Sequence, residues 1–338
     1  MKNTFLQLLL VALFATTSFA KTIFVKPDAT GNGTSWANAY GDLQLALATA
    51  SFGTEIWVAE GIYLPVKCQP CTEEQREISF RIPGGVKVYG GFSGTENNLS
   101  QRKWFAHPTT LSGKIGKEEE GDNSYTVVLF KNSDSGTMLD GFVVTGGRAD
   151  AWEPVGSNKR SGGGLFNDGS GKGGRSTVSI KNCIFLENYA MEGGAVFNHG
   201  QMGEATLEFE NCTFVANKAN KGGGGIFSNN DLGQGGIELK KCKFVNNDSP
   251  FGGAVFITQN GGTGKNQIVS TNFVANKATA GSVFFSLALE DTLQPDFFLC
   301  DYINNTNKEE DDEVFFCPDP SVPQRLLNKL AMNVSTKL

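Results

Sequence analysis

The 338-residue sequence has no excess of positive charge and no long apolar run beyond its first twenty residues. The formal net charge of −6 argues against nucleic acid or an anionic membrane surface as a partner, because both attract a basic face. Without a later apolar run of about 20 residues, we expect no transmembrane segment in the mature chain. Proline is modest, and the 42 glycines lack the triplet period of collagen, so we do not expect disorder.

The chain instead contains one sequence motif that occurs four times between Ile180 and Phe285. Each copy joins Cys-x-Phe-x-x-Asn, with Thr for Cys in the last copy, to a strand such as Gly-Gly-Ala-Val-Phe. The copies begin at Cys183, Cys212, Cys242 and Thr271, which are 29, 30 and 29 residues apart. A fixed period of this length indicates stacked structural units.

The physics of the repeat predicts an all-β coil. Each copy contains only short β-type runs, which cannot bury a face alone, and no helical stretch separates them, so a βαβ layout is excluded. We therefore expect each strand to pair in parallel with its copy one turn later, about 4.8 Å away. Like residues would then stack in inward columns, one of Cys, one of Phe from Phe185, and one of Asn from Asn188.

The pairing of Phe-x-x-Asn with Gly-Gly-Ala-Val/Ile resembles the repeat of the bacterial polymorphic outer-membrane proteins. The resemblance covers about a third of the chain, and Gly281-Ser282 departs from it in the last copy. Those proteins are surface-exposed right-handed parallel β-helices. The resemblance therefore implies a single-stranded right-handed parallel β-helix of pectate-lyase-like fold, and their surface exposure implies an adhesion role. Residues 23–63 also resemble the opening of many secreted bacterial β-helix proteins.

The chain divides into four predicted segments. Residues 1–20 form a signal peptide, with Lys2 before an apolar core and Ala20 at the cleavage site. Residues 21–65 form an N-terminal strand and a helical cap, of which Asp42 to Ser51 is the helix. Residues 66–320 form the parallel β-helix, and within it we expect the repeat to extend from Phe142 to Phe316. Residues 321–338 form a C-terminal tail with a candidate capping helix.

The seven cysteines are of two kinds. Cys183, Cys212 and Cys242 fall in one column, where parallel Cβ vectors suit a disulfide poorly, so we favour free thiols. The redox states of these three, and of Cys300 and Cys317, stay open. Cys68-Gln-Pro-Cys71 lies in a polar loop, where we expect a local disulfide. Zinc would need a second ligand pair, and a thioredoxin-like role would need a βαβ context.

The residues at the C-terminal end of each Gly-rich strand are polar on every turn. If the turns stack, these residues would form a polar strip along one edge of the coil. This strip lies next to an insertion loop, Arg148 to Ser161. Amide, carboxylate and aromatic groups together suit carbohydrate hydroxyls and ring faces, although Asn and Asp are also good corner residues. The candidate binding residues are Trp152, Asn167, Asp168, Asn198, His199, Asn230, Asp231 and Gln259.

We expect no cofactor. The acidic runs Lys117 to Asp122 and Glu309 to Glu313 could attract Ca²⁺, but neither has the ligand spacing of an EF-hand or a β-roll, so solvated loops are the preferred interpretation.

The sequence thus favours a secreted or cell-surface protein, extracellular or associated with a bacterial outer membrane, that binds an extracellular glycan or a cell-surface protein without catalysis. The alternative is a polysaccharide lyase or glycoside hydrolase of pectate-lyase-like fold. The signatures of both enzyme classes are missing, and Asn198-His199-Gly200 matches the Gly-His-Gly of polygalacturonases only in its last two residues.

Overall fold

The computed structural model describes residues 21–116, 120–287, 296–307 and 314–317. These residues wind into a right-handed parallel β-helix of about nine turns, and all its sheets are parallel. The predicted all-β fold class is therefore confirmed. The predicted signal peptide at 1–20, the tail at 321–338 and the acidic run at 309–313 lie outside the described residues.

The elements are short, and their bounds follow in chain order. The strands are β1 (Thr22–Val25), β2 (Glu55–Ala59), β3 (Gly61–Tyr63), β4 (Phe80–Arg81), β5 (Lys87–Phe92), β6 (Thr109–Ser112), β7 (Val128–Lys131), β8 (Thr137–Asp140), β9 (Phe142–Thr145), β10 (Arg148–Ala149), β11 (Leu165–Asp168), β12 (Arg175–Lys181), β13 (Ile184–Leu186), β14 (Tyr189–Glu192), β15 (Val196–His199), β16 (Glu204–Glu210), β17 (Thr213–Val215), β18 (Lys218–Gly222), β19 (Ile226–Asn229), β20 (Gln234–Lys240), β21 (Lys243–Val245), β22 (Val255–Thr258), β23 (Gln267–Val269), β24 (Asn272–Val274), β25 (Lys277–Ala278), β26 (Phe284–Leu287), β27 (Asp296–Phe298), β28 (Asp301–Ile303), β29 (Thr306–Asn307) and β30 (Val314–Cys317). The helices are α1 (Leu43–Thr49) and α2 (Glu73–Arg76), with single 3-10 turns at Trp36–Asn38, Leu99–Gln101 and Glu120–Asp122.

Three long sheets run along the coil. Sheet A has the order β1-β2-β5-β8-β12-β16-β20-β23-β27, sheet B the order β3-β6-β9-β13-β17-β21-β24-β28, and sheet C the order β4-β7-β11-β15-β19-β22-β26-β30. Two short sheets, β10-β14-β18 and β25-β29, lie between B and C in five of the turns. The chain therefore visits A, B and C once per turn, and a corner separates C from the next A strand.

The register stacks like residues as the repeat predicts. Phe185, Phe214, Phe244, Phe273 and Tyr302 pair directly from turn to turn. Their neighbouring rings lie parallel, with centroids 5.1, 4.3, 5.2 and 5.7 Å apart. The four phenylalanines are fully buried in the main core, where each contributes about 2 kcal/mol of hydrophobic stabilisation.

The asparagine column is a continuous hydrogen-bonded ladder. Nδ2 of Asn188 donates to Oδ1 of Asn217 at 3.1 Å, and the same contact recurs from Asn217 to Asn247, from Asn247 to Asn276 and from Asn276 to Asn305 at 2.9–3.0 Å. Each Oδ1 also accepts the backbone N–H of the asparagine one turn earlier. The buried amides are thus satisfied by their own copies.

The repeat extends beyond its four clear copies in both directions. Val143 pairs with Ile184, which places Phe142 on the cysteine column, and the backbone N–H of Gly147 donates to Asn188 at the place of a further ladder residue. At the other end, Asn305 accepts from Asn276. The insertion loop is shorter than predicted, because its first two residues form β10 and pair with β14.

Glycine is required where the four copies of the repeat enter sheet C. Gly193, Gly223, Gly252 and Gly281 all have φ between 59° and 65°. At Gly193 a Cβ would lie 2.2 Å from the carbonyl oxygen of Val196, so a larger residue would both clash and adopt a strained backbone.

The column thiols are free and donate to backbone carbonyls. Cys183 Sγ lies 3.1 Å from the Lys181 oxygen, and Cys212 Sγ lies 3.4 Å from the Ile180 oxygen. Burial raises the pKa of Cys212 well above its ordinary value and that of Cys242 to about 12. All three column cysteines are buried in the main core.

The N-terminal helix α1 packs against β1, β2 and β4, next to the first strand of sheet A. Asp42 caps it by accepting the Gln44 N–H at 2.8 Å, and Leu43, Ala46 and Leu47 join the main core. The sequence did not predict the single turn α2, which has a capping box of Thr72 and Gln75. Within the described residues, no helix is both long and apolar enough to cross a membrane.

We predict that Asn217→Ala destabilises the protein by about 3 kcal/mol, because it removes four hydrogen bonds of the ladder and takes the acceptor from the buried backbone N–H of Asn188. Denaturant unfolding checks this. The control Asn220→Ala changes an exposed asparagine one strand away and should alter stability by less than about 0.5 kcal/mol. Equal effects of the two substitutions would contradict the ladder's role.

We also predict that the native column thiols resist an aromatic disulfide reagent at mildly alkaline pH, because all three are buried and burial also raises the pKa of Cys212 and Cys242. Peptide mass mapping should find Cys300, which is partly exposed, labelled before Cys183, Cys212 and Cys242. Labelling of all four at one rate without denaturant would be incompatible with this packing.

Candidate functional site

The polar residues predicted to form an exposed strip lie at the corner between sheets C and A. The structure divides them into an inner and an outer row. Leu165 and Val196 of β11 and β15 face the main core, whereas Phe166 and Phe197 form a separate outer cluster. Because side chains alternate along a strand, Asn167 and Asn198 face inward and Asp168 and His199 face outward.

The inner row lies inside the coil. Asn167, Asn198, Asn230 and Gln259 are at most 1% exposed. Ser176 Oγ donates to Asn167 Oδ1, Asn167 Nδ2 donates to Asn198 Oδ1 at 2.8 Å, and Asn198 and Asn230 both donate to Ser228 Oγ. Gln259 accepts from Asn266. These four candidate residues therefore hold the corner together, and a ligand in solvent does not reach them.

The outer row consists of Lys131, Asp168, His199, Asn229 and Thr258, which stack directly on five successive turns. Lys131 Nζ lies 3.1 Å from Asp168 Oδ2, and Ser170 Oγ donates to Asp168 Oδ1 at 2.7 Å. Burial raises the pKa of Asp168, but the bonds from Ser170 and Lys131 outweigh it, so its pKa is below the ordinary value. Asp168 is thus an ionised, well-held carboxylate.

His199 is a buried aromatic member of the outer row. Its ring packs edge-on against Phe166 and Phe197, with centroids 5.8 and 5.6 Å away. Nδ1 lies 3.6 Å from Asp168 Oδ1, which is too far for a hydrogen bond, and among the described residues neither ring nitrogen has a partner in hydrogen-bond geometry. Burial lowers the pKa of His199, and the Asp168 carboxylate opposes this only in part. The imidazole is therefore neutral near pH 7.

Asp231 lies two residues beyond the outer row. Its Oδ1 accepts both the backbone N–H of Asn260 at 2.8 Å and the side-chain amide of Asn260 at 3.1 Å. Burial raises its pKa above the ordinary value despite these bonds. Asp231 and Asp168 therefore have opposite pKa shifts and lie on different turns.

The insertion loop covers His199 from outside. Gly156 lies against the imidazole so closely that a Cβ there would be 2.5 Å from Cε1 of the ring. The glycine has φ +88°, so only a residue without a side chain fits both the contact and the backbone. The loop thus seals the outer row at this turn.

Three contacts anchor the loop. Arg160 forms a bidentate ion pair with the buried Glu192, at 2.7 and 2.9 Å, and it also donates to the Glu153 carbonyl. Thr126 Oγ1 donates to the Asn158 carbonyl at 2.7 Å. At the loop's start, Asp150 accepts from Arg76 and Arg148. Bidentate arginine pairs of this kind fix geometry as well as charge.

Trp152 stands out from this anchored loop. It is 90% exposed, and Val155 beside it is 48% exposed. The other three tryptophans are all far less exposed, and two of them pack in an aromatic cluster near β1. An exposed indole on a fixed loop is available for contact with a ligand.

Cys68 and Cys71 form a disulfide in the structure, with Cα atoms 5.0 Å apart. It lies away from the corner, and the Cys68 backbone N–H donates to Ile115.

The sequence reasoning missed Lys131 and Gly156. Lys131 lies on β7, in a turn that lacks the repeat motif. Only an alignment of Val128–Lys131 with Leu165–Asp168 would have placed it beside Asp168. Gly156 gives no sequence signal, because its contact with His199 depends on how the loop folds back.

In comparisons with known proteins, no family model, curated protein or solved structure matches the chain.

We predict that His199 makes stability depend on pH. The unfolded chain protonates this residue at its ordinary pKa of 6.5, whereas the folded protein does so at lower pH. The stabilisation that His199 gives the folded state is therefore complete above pH 6.5, and it is lost as the pH falls toward the pKa of His199 in the folded protein. Denaturant unfolding at about pH 7.5 and about pH 5.5 should reveal the loss.

The variant His199→Gln should show a smaller loss over this interval, while His107→Gln should keep it, because that substitution leaves His199 and the groups around it unchanged. An unchanged pH dependence in His199→Gln would refute the assignment.

Proposed function

We propose that the chain is a secreted or cell-surface β-helix protein that binds an extracellular carbohydrate through its insertion loop, without catalysing a reaction. The observation that carries the proposal is Trp152, which is 90% exposed on a loop fixed by the Arg160–Glu192 ion pair. A large aromatic surface that is ordered before binding loses little conformational entropy when a ligand arrives.

The surroundings of the loop favour a carbohydrate over a protein partner. Gly156 of the loop contacts His199, and His199 adjoins Asp168 with its partners Lys131 and Ser170. Carboxylate, ammonium and hydroxyl groups suit the hydroxyls on the edge of a sugar, and an exposed indole suits the C–H groups on its face. The resemblance of the repeat to surface-exposed β-helices supports the same extracellular setting.

A polysaccharide lyase or glycoside hydrolase is the second candidate. Such an enzyme needs carboxylates that reach the scissile bond or a bound Ca²⁺. Asp168 is engaged by Lys131 and Ser170, and Asp231 is engaged by Asn260. We therefore rank binding first. A lyase would release an unsaturated product that absorbs in the ultraviolet, and a binding protein would not.

We predict that Trp152→Ala weakens retention on the glycans that the protein binds by at least about tenfold, because tryptophan anchors commonly contribute about 2 kcal/mol or more. A glycan array followed by calorimetry on the strongest ligand measures this. The matched control is Phe105→Ala, which removes a 75% exposed aromatic from a different loop and should leave affinity unchanged.

Two results would count against the proposal. Wild-type protein that binds no glycan on the array would rule out the carbohydrate ligand. Binding that survives Trp152→Ala would rule out the insertion loop as the contact.

A further inference from the structure

A groove of about 780 Å³ runs along the outer side of the asparagine ladder. Its floor is formed by Gly146, Gly147 and Ala216, which carry little or no side chain. Lys114 lies across one end, so close to Gly146 that a Cβ there would be 2.8 Å from Lys114 Cγ. A side chain at Gly146 would therefore collide with Lys114.

The walls of the groove come from successive turns. Arg148 pairs with Tyr189, and Tyr189 pairs with Lys218, so these three side chains stack along the coil axis. With Lys114 one turn earlier, the cations span about three turns, or roughly 14 Å at the usual strand spacing. The groove follows the axis and is long enough for several units of a linear polymer.

The charge of the groove is opposite in sign to that of the chain. Lys114 and Lys218 are exposed, and within the described parts of the chain neither forms an ion pair with a carboxylate. Arg148 has Asp150 at 2.9 Å, and its guanidinium lies 4.7 Å from the Tyr189 ring. Glu187 is the acidic residue that lines the groove. Two lysines with no such partner therefore face an open, polar recess in a protein with net charge −6.

We propose that this groove binds an anionic oligosaccharide, whose carboxylate or sulfate groups lie against Lys114 and Lys218. The inference rests on the proposed carbohydrate function and narrows its ligand to acidic glycans. Arg148, which lines the groove, is the first residue of the insertion loop and lies four residues before Trp152 in the sequence. A glycan in the groove can thus continue toward the indole. Nucleic acid is a poorer match, because its dense charge would meet Glu187 and the net negative chain.

The test compares three hexasaccharides by calorimetry: an alginate oligomer with uronate groups, a neocarrageenan oligomer with sulfate groups, and a neutral cellulose oligomer. We expect the wild-type protein to bind at least one acidic oligomer more tightly than the neutral one. The double variant Lys114→Gln/Lys218→Gln should weaken that binding about tenfold. Raising the salt from about 50 mM to about 500 mM should weaken it as well.

The matched control is Lys103→Gln/Lys240→Gln, which removes the same charge from two exposed sites outside the groove and should change affinity less than about twofold. Because all four lysines are exposed, equal thermal midpoints should confirm that both variants fold.

Three outcomes overturn the inference. If the neutral oligomer binds as tightly as the acidic ones, or if the groove variant binds like the control, the groove is not an anion site. The proposed function then still stands where binding depends on Trp152. If no oligosaccharide binds at all, the inference and the proposed function both fall.

Discussion

The asparagine ladder is the interaction on which the rest of the structure depends. Each side-chain amide bonds both the amide and the backbone of its copy one turn away, so the contact forms only when the turns are in register. The same amides also reach the carbonyl oxygens of the phenylalanine column, as Asn217 does with Phe185. A slip of one residue would break this ladder and turn the phenylalanines out of the core. The register of the turns, the burial of the phenylalanines and the hydrogen bonds of the asparagine corner therefore depend on one another.

Because the ladder fixes the coil, the parts of the surface that can differ in ligand binding are those that depart from the repeat. The insertion loop interrupts one turn, covers His199 and exposes Trp152. The groove forms where glycines and an alanine replace larger corner residues. Both features include Arg148, which immediately follows Gly147, the first residue bonded to the ladder. The repeat forms a rigid scaffold, and the insertion loop and the groove form the surface that a ligand can contact.

The candidate site was only partly predictable from the sequence. The spacing of the repeat correctly placed Phe142, Gly147 and Tyr302 in their columns, because a constant period leaves one register that buries the phenylalanines. The corner was harder. Asparagine serves equally as a turn residue and as a buried amide, and alternation along β11 and β15 is what turned Asn167 and Asn198 inward. Nothing local distinguishes them from the outward Asp168.

The sequence by itself determined the coil, its period and its stacked columns, because these follow from short-range periodicity that each turn repeats. It also marked the insertion loop, because residues 148–161 exceed the period. Only the tertiary structure decided which polar residues are exposed, that Lys131 meets Asp168, and that Gly156 closes on His199. Those contacts join segments tens of residues apart at places where the repeat is irregular. Their geometry depends on how a loop folds back over the coil, which no period encodes.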